Sequence, residues 1–420
     1  MSRFVVHPSG PLSGTVRAGG AKNAVLKQMA ACLLAEGMHR LRNVPRITDV
    51  DAMATLLGAL GCRVHWAGDH ELSIGVPTAS RLAAEAPVAL VERMRASIVV
   101  LGPLLARCGT ARLSLPGGDD FGDRPVNFHL EGLGAMGADV RIHNGAIEAT
   151  TPPPGRLHGA RITLEYPSHT ATDNLLMAAV TAQGATVIDN AAREPEVEDL
   201  CVMLNAMGAR VSGLGTSRLV IDGVDTLRPA DHEVVADRVV AATYLAAAAI
   251  TGGEVTVADA RRSHMETLLR KLATIGCELT GDTGITVKGP ARPSPCDIAT
   301  LPYPGVATDY KPLLVAVLSV ADGTSIVTEN LFDGRFRYVE ELDRMGSSVT
   351  IEGHHAVIRG VERLHGARVR ATDVRAGAAL VLAGLVADAE TEVTHAEHVE
   401  RGYEDLAGTL RSLGADVERV

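Results

Sequence analysis

Ala206-Met-Gly-Ala-Arg-Val211 reads as the end of an amphipathic helix, a glycine that turns the chain, and the first residues of a strand. Five other stretches read the same way: Ala59-Leu-Gly-Cys-Arg-Val64, Ala135-Met-Gly-Ala-Asp-Val140, Thr274-Ile-Gly-Cys-Glu-Leu279, Arg344-Met-Gly-Ser-Ser-Val349 and Ser412-Leu-Gly-Ala-Asp-Val417. They recur about every 70 residues, so six units fill the 420-residue chain. Within each unit an apolar, small-residue helix comes first, then usually a glycine, a short β-branched strand, the amphipathic helix and a further strand. The mid-unit glycine is Gly37, Gly109, Gly184, Gly252 or Gly323, with Ala389 in the sixth unit, and each is expected to stop a helix. A period this long exceeds that of solenoid repeats. The sequence therefore predicts an α/β protein of compact βαβαββ-type units, packed three to a globe in two domains.

Composition narrows the partners. Apolar residues make up 46% of the chain and aromatics only 3%, so the cores must be built from Ala, Val and Leu. A net charge of -10 with no basic run argues against nucleic acid and against a membrane surface, leaving small molecules. The six cysteines have no paired or metal-ligand spacing and read as reduced, buried thiols of a cytoplasmic protein. No signal-peptide pattern opens the chain. The longest apolar run, 239–250, is too short to span a bilayer.

Charge is concentrated at the helix starts. The first helix of each unit is apolar beyond its opening turn, yet that turn carries Lys22, Arg95, Asp237 with Arg238, Asp309, or Asp373 with Arg375. An arginine also precedes each terminal glycine by eleven to fifteen residues: Arg46, Arg124, Arg193, Arg262, Arg335 and Arg401. A cation at a helix start opposes the helix dipole, which points to a bound anion such as phosphate or carboxylate. The alternative is that individual arginines, Arg46, Arg193 and Arg262 above all, cap strands or pair with nearby acids. If helix starts converge, the protein encloses an anion-binding cleft between two lobes.

The segments Gly19-Gly-Ala-Lys-Asn23, Arg93-Met-Arg-Ala-Ser97, Leu115-Pro-Gly-Gly118 with Arg124-Pro-Val126, Asn190-Ala-Ala-Arg-Glu-Pro-Glu196, Thr308-Asp309, Arg335-Phe336, Ala371-Thr-Asp-Val-Arg-Ala376 and Arg401-Gly-Tyr403 resemble the UDP-N-acetylglucosamine enolpyruvyl transferases, in order and over essentially the whole chain. The resemblance implies two inside-out α/β barrels of three βαβαββ units each, one lobe over 22–232 and the other over 1–21 with 233–420. It implies transfer of the enolpyruvyl group of phosphoenolpyruvate to a sugar hydroxyl by addition and elimination, with release of phosphate and with no metal or organic cofactor. That reaction opens peptidoglycan precursor synthesis. The sister family that makes enolpyruvyl-shikimate phosphate carries a Lys-Ser-x-x-Asn-Arg pattern, whereas Gly20-Ala-Lys-Asn23 is of the UDP-sugar type.

By the same resemblance Lys22, Arg124 and Arg401 contact phosphate, Arg335 and Arg375 contact carboxylate, and Arg95 belongs to the cluster. Several fixed cations suit a small substrate carrying both anions. Asp309 matches the candidate base for the acceptor hydroxyl, the other reading being a helix N-cap. Asp373 orients arginine and substrate. Asn23, Pro125, Asn127, Phe128, Ser168 and Thr170 fall on the substrate-binding side.

The loop Leu115-Pro-Gly-Gly-Asp-Asp-Phe-Gly-Asp-Arg-Pro125 resembles the family's mobile lid, with Asp119 where many members carry the proton-donating cysteine that fosfomycin alkylates. An ordinary aspartate is roughly 99.9% ionised at neutral pH, so Asp119 as the acid needs a raised pKa. Asp120 and Asp123 push it up, and the arginines push it down.

Three departures bear on the acceptor. The nucleotide-phosphate loop reads Ser168-His-Thr-Ala-Thr172 rather than Ser-Val-Gly-Ala-Thr, so Thr170 would be strained if the family's glycine sits at positive φ. Asn127 replaces an aspartate, and Ala307 a proline. These leave open UMP, accepted at its 3′-hydroxyl in nucleoside antibiotic synthesis, and an inactive nucleotide-binding paralogue.

Overall fold

All six terminal glycines lie at positive φ, between 80° and 106°, where a side chain is disfavoured: Gly61, Gly137, Gly208, Gly276, Gly346 and Gly414. The computed structural model describes residues 2–118, 125–153, 155–332 and 334–420. At Gly61 a Cβ would also lie 2.9 Å from the Arg81 carbonyl, so backbone geometry and space both demand glycine. The mid-unit glycines behave less uniformly than expected. Gly109 and Gly252 terminate helices in the left-handed conformation, whereas Gly37 opens a strand.

Six sheets correspond to the six units. In five of them a parallel pair at one edge is followed by two antiparallel pairs, as in the order Asp231–Glu233, Gly37–Arg42, Glu71–Val76, Arg63–Gly68. The sixth, built on Thr110–Ser114, has three strands, and a parallel bridge from Glu85 to Arg112 stands in for the edge. Like the sheet that takes in Asp231–Glu233, two further sheets are completed by strands distant in sequence. Ser13–Val16 pairs in parallel with Glu254–Arg261, and Arg3–Val6 sits between Thr391–Thr394 and Val417–Arg419. The amino-terminal strands thus belong with the carboxy-terminal half.

The apolar helices fill the interiors. Val374–Leu385 and Lys311–Leu318 are buried along their whole length, and Arg238–Thr251 nearly so. A helix that is apolar all round has no face to give to water, so it goes inside and the sheets pack around it. The second helices keep one wet face: Glu266–Ile275 buries Leu268, Leu269, Leu272 and Ile275 and leaves the rest partly or fully exposed. Helices inside and sheets outside constitute the inside-out α/β arrangement.

The chain forms two compact units, one of residues 2–19 and 236–420, the other of 20–118 and 125–235. Each has its own core. One gathers Phe4, Val6, Leu245, Leu314 and Leu380, and the other Leu26, Leu57, Leu104, Leu176 and Leu204. Each such buried aliphatic side chain contributes roughly 1.5–3 kcal/mol relative to exposure.

Gly61→Ala should destabilise the protein by about 1–3 kcal/mol, through left-handed strain and the Arg81 contact. Gly58→Ala, within the exposed face of Thr48–Ala59 and with nothing within 4 Å of the new Cβ, should stabilise it by about 0.5–1 kcal/mol. Urea denaturation of both variants checks the contrast, and equal midpoints would contradict it.

Candidate functional site

In the unit of residues 20–235 the motif Gly19-Gly-Ala-Lys-Asn23 is a tight approach between two backbones. A Cβ on Gly20 would fall 1.7 Å from the Asn43 carbonyl oxygen, so only glycine fits there. The helix Lys22–Ala31 follows at once, and Lys22 Nζ meets Asp49 Oδ2 at 2.6 Å with both side chains largely buried. One turn on, buried Lys27 donates to the Asn23 carbonyl and lies 3.8 Å from Asp173 Oδ2. Burial pushes the Lys27 ammonium down and the Asp173 carboxyl up to about 8, against their mutual attraction. His169 Nε2 approaches the same Asp173 oxygen at 3.3 Å.

Ser168 caps the helix His169–Ala179 by accepting from Ala171 N–H. Thr170 lies in that helix's first turn and is not among the residues at positive φ, which corrects the expectation of strain. Helical geometry, accessible to any residue but proline, removes the need for glycine. The surrounding hydrogen bonds fix the role of the hydroxyl. Asn174 Oδ1 accepts from Gly102 N–H at 2.7 Å, so its Nδ2 donates to His129 Nδ1 at 2.9 Å. His129 is buried and pushed down to about 3 by desolvation and by Arg95, so the ring is neutral with its proton on Nε2. That proton faces Thr170 Oγ1 at 3.4 Å, which leaves the threonine O–H to donate elsewhere.

Arg95 opens the turn Arg95–Val100 and donates from Nη2 to the Pro125 carbonyl at 3.2 Å. Asn127 opens the helix Asn127–Ala135, where its Nδ2 faces Glu131 at 3.4 Å. Its Oδ1 is buried without a hydrogen-bond partner among the described residues. Phe128 packs half-buried against the core. Asp119 and Arg124 lie outside the described residues.

In the unit of residues 2–19 and 236–420, one carboxylate organises two buried cations. Asp309 Oδ1 accepts from Arg335 Nη2 at 2.7 Å, and its Oδ2 lies 3.5 Å from Arg375 Nε. The arginine side chains are 5% and 3% exposed and Asp309 is 26% exposed, so the pair of guanidinium groups sits inside with the acid at its rim. The helix Lys311–Leu318 has Tyr310 at its N-cap position and no side-chain cap, so the N-cap reading of Asp309 is set aside. Asp373 is the residue that caps: it accepts from Arg375 N–H at 2.8 Å and Ala376 N–H at 3.0 Å. It thereby fixes the backbone from which Arg375 extends.

The Arg375 guanidinium packs 5.1 Å from the Tyr403 ring centre, and Tyr403 Oη shares a 2.7 Å hydrogen bond with Thr243. Arg375 Nη1 is buried with no hydrogen-bond partner among the described residues, a donor that an incoming anion would satisfy. Arg401 ends the short turn Ala396–Arg401, two residues before Tyr403. Arg46 stacks 3.6 Å over Trp66 and donates to the Gly68 and Asp69 carbonyls, which is the strand-capping alternative. Arg262 pairs with Asp282 and Glu266 in the same spirit. Asp49, Lys27, Asp173 and Glu329 went unnoticed in the sequence, and of these only Asp173 stands beside a quoted motif, Ser168-His-Thr-Ala-Thr172. Among the described residues no cluster of three metal-ligating side chains occurs, and no helix is long and apolar enough to cross a membrane.

Residues 6–410 match the family described as EPSP synthase (3-phosphoshikimate 1-carboxyvinyltransferase). The chain is 49% identical to the UDP-N-acetylglucosamine 1-carboxyvinyltransferase of Nocardia farcinica, covering 100% of this chain and 98% of that one. It is 48% identical to the protein of that name from Corynebacterium jeikeium, covering 99% of each. Among solved structures it superimposes on the enolpyruvyl transferase NikO from Streptomyces tendae with a TM-score of 0.89 at 26% identity, over 100% of this chain and 99% of that one. EPSP synthase from Acinetobacter baumannii shares the fold, with a TM-score of 0.77 at 19% identity over the full length of both chains.

Asp309→Asn keeps the size and shape of the side chain but removes the charge shared by Arg335 and Arg375. It should therefore lower stability by about 1–3 kcal/mol, through two under-compensated buried cations. Unfolding of Asp309→Asn at wild-type denaturant concentration would contradict the ion-pair role.

Proposed function

The chain belongs to the EPSP synthase family of carboxyvinyltransferases, and from that membership we propose that it transfers the enolpyruvyl group of phosphoenolpyruvate to the 3-hydroxyl of UDP-N-acetylglucosamine, releasing phosphate. The observation that carries the chemistry is the buried pair Arg335 and Arg375 held on Asp309, with Arg375 Nη1 lacking a partner. Two rigid guanidinium groups suit a planar carboxylate, and Asp309 holds both. The acceptor is chosen from the relatives, 48–49% identical from end to end.

In this reading Arg335 and Arg375 hold the carboxylate of phosphoenolpyruvate. Lys22, Arg124 and Arg401 neutralise its phosphate, with Arg95 adding charge on the same side. The acceptor hydroxyl gives its proton to Asp309 as its oxygen attacks C2 of the enol phosphate, while Asp119 delivers a proton to the methylene carbon. Elimination of phosphate from the tetrahedral ketal, with loss of a methyl proton, regenerates the double bond. Asn23, Pro125 and Phe128 line the acceptor's side. Ser168 and the Thr170 hydroxyl donate to its diphosphate, and the buried Asn127 Oδ1 accepts from an imide N–H such as that of uracil. The reading needs no cofactor, places the enzyme in the cytoplasm and assigns it to peptidoglycan precursor synthesis.

A second reading, transfer to the 3′-hydroxyl of UMP, is favoured by the Ser168-His-Thr loop. Phosphate release with phosphoenolpyruvate and either UDP-N-acetylglucosamine, UDP-glucose, UMP or shikimate 3-phosphate separates the two. The expected outcome is turnover with UDP-N-acetylglucosamine and at least tenfold lower kcat/KM with UMP, a gap of about 1.4 kcal/mol. A preference for UMP would overturn the acceptor, and release with none would overturn the activity.

Asp119→Cys tests the lid residue. A carboxylate is a far poorer nucleophile than a thiolate toward an epoxide, so the wild-type enzyme should resist fosfomycin and the variant should be inactivated with time. An adduct on Asp119 of the wild type, detected by mass spectrometry, would contradict this.

A further inference from the structure

Lys311 and Glu329 form an ion pair that water does not reach: both side chains are 0% exposed, and Lys311 Nζ lies 2.8 Å from Glu329 Oε2. A wholly buried pair of this kind contributes little net stability compared with an apolar pair of the same volume, so its presence calls for another role. Its contacts lead to the candidate site. Glu329 Oε2 also accepts from Thr308 Oγ1 at 2.7 Å, which commits the threonine's proton and leaves its oxygen to accept from Arg335 Nη1 at 3.0 Å. The other carboxylate oxygen accepts from Thr300 Oγ1 at 2.7 Å and from Leu331 N–H at 2.8 Å, tying down the turn that leads into Arg335. Lys311 in turn donates to the Arg335 carbonyl at 2.5 Å, and its ammonium packs 3.8 Å from the Phe336 ring centre.

Arg335 is therefore gripped at three points. Its carbonyl is held by Lys311, its Nη1 by the hydroxyl that Glu329 has oriented, and its Nη2 by Asp309. Thr308 and Asp309 are adjacent in sequence, so the hydroxyl fixed by Glu329 also locates the carboxylate beside it. We propose that Lys311 and Glu329 are positioning residues whose buried pair sets the orientation of Arg335 and Asp309 for phosphoenolpyruvate. This deepens the enolpyruvyl-transfer reading and rests on it.

The charged and titratable groups acting on Lys311 are Glu329, Arg335 and Asp373, with the Tyr338 ring 6.0 Å away. Burial is the largest influence and brings Lys311 down from 10.5 to about 8, with the attraction of Glu329 opposing it. The sign follows. Between about 8 and 10.5 the unfolded chain holds a proton on this lysine that the folded chain has released, so the lysine's contribution to stability grows as pH rises. Its grip on Glu329 and Arg335 is lost over the same rise. Stability and phosphoenolpyruvate affinity should consequently move in opposite directions, which a merely structural pair would not produce.

The test titrates phosphoenolpyruvate into the full-length protein by calorimetry, using the wild type, Lys311→Met and Lys311→Met/Glu329→Gln, with chemical denaturation alongside. The single variant leaves a buried carboxylate under-compensated and is expected to be destabilised. In the double variant the glutamine carbonyl takes the place of Oε1 and accepts from Thr300 and Leu331 N–H, while its NH2 takes the place of Oε2 and donates to Thr308 Oγ1, with no buried charge, so stability should return to near that of the wild type. Affinity for phosphoenolpyruvate should stay about tenfold weaker in the double variant. Its decline through about pH 8, expected in the wild type, should be absent from both variants. A double variant that binds phosphoenolpyruvate as the wild type does, or pH profiles that superimpose, would overturn the positioning role while the functional reading stands. A wild-type protein that binds no phosphoenolpyruvate would overturn both.

Discussion

Two guanidinium groups buried in an apolar helical interior must be held by opposite charge, and in this protein Asp309 supplies it to both Arg335 and Arg375. Desolvation makes an isolated buried cation expensive, so the surrounding residues follow from that cost. Asp373 caps the helix that delivers Arg375, Tyr403 lies against the Arg375 guanidinium, and Thr308 with Glu329 and Lys311 holds Arg335. The folding cores of the unit lie elsewhere, in helices such as Val374–Leu385 that are apolar all round. The charges occupy only the ends of those helices, where the backbone no longer satisfies itself.

The inside-out arrangement explains why such ends are available. When helices fill the interior and sheets form the wall, each buried helix has two ends but no exposed face. Polar groups then gather at the first turn, as Lys22, Ser168, Asp237 and Asp373 do, with the Lys27–Asp173 pair one turn further in. The same layout repeats six times because the unit is the same six times, with strands 3–6 and 13–16 joining sheets built by the far end of the chain.

Much of this was legible in the sequence for a definite reason. The terminal glycine marks each repeat because the φ it adopts excludes side chains, and the buried helices announce themselves by lacking a polar face. The charged first turns of those helices pointed to Arg375 and Asp309, and the arginine that precedes each terminal glycine pointed to Arg335. Pairing was not legible. Lys27 and Asp173 meet across 146 positions, and Gly102 reads the side chain of Asn174, so neither partner announces the other. The strain expected at Thr170 failed because the helix begins at His169 and gives the threonine ordinary helical geometry. Setting aside the cap at Asp309 needed the structure, which places Tyr310 at the N-cap position of Lys311–Leu318.

The most direct measurement of the central claim is an experimental structure of the protein with phosphoenolpyruvate bound. The account predicts the substrate carboxylate within about 2.7–2.9 Å of Arg375 Nη1 and in contact with the Arg335 guanidinium, with both arginines still held by Asp309. A carboxylate seated away from both arginines, or arginines that leave Asp309 and reorient to reach it, would contradict a receptor formed in advance.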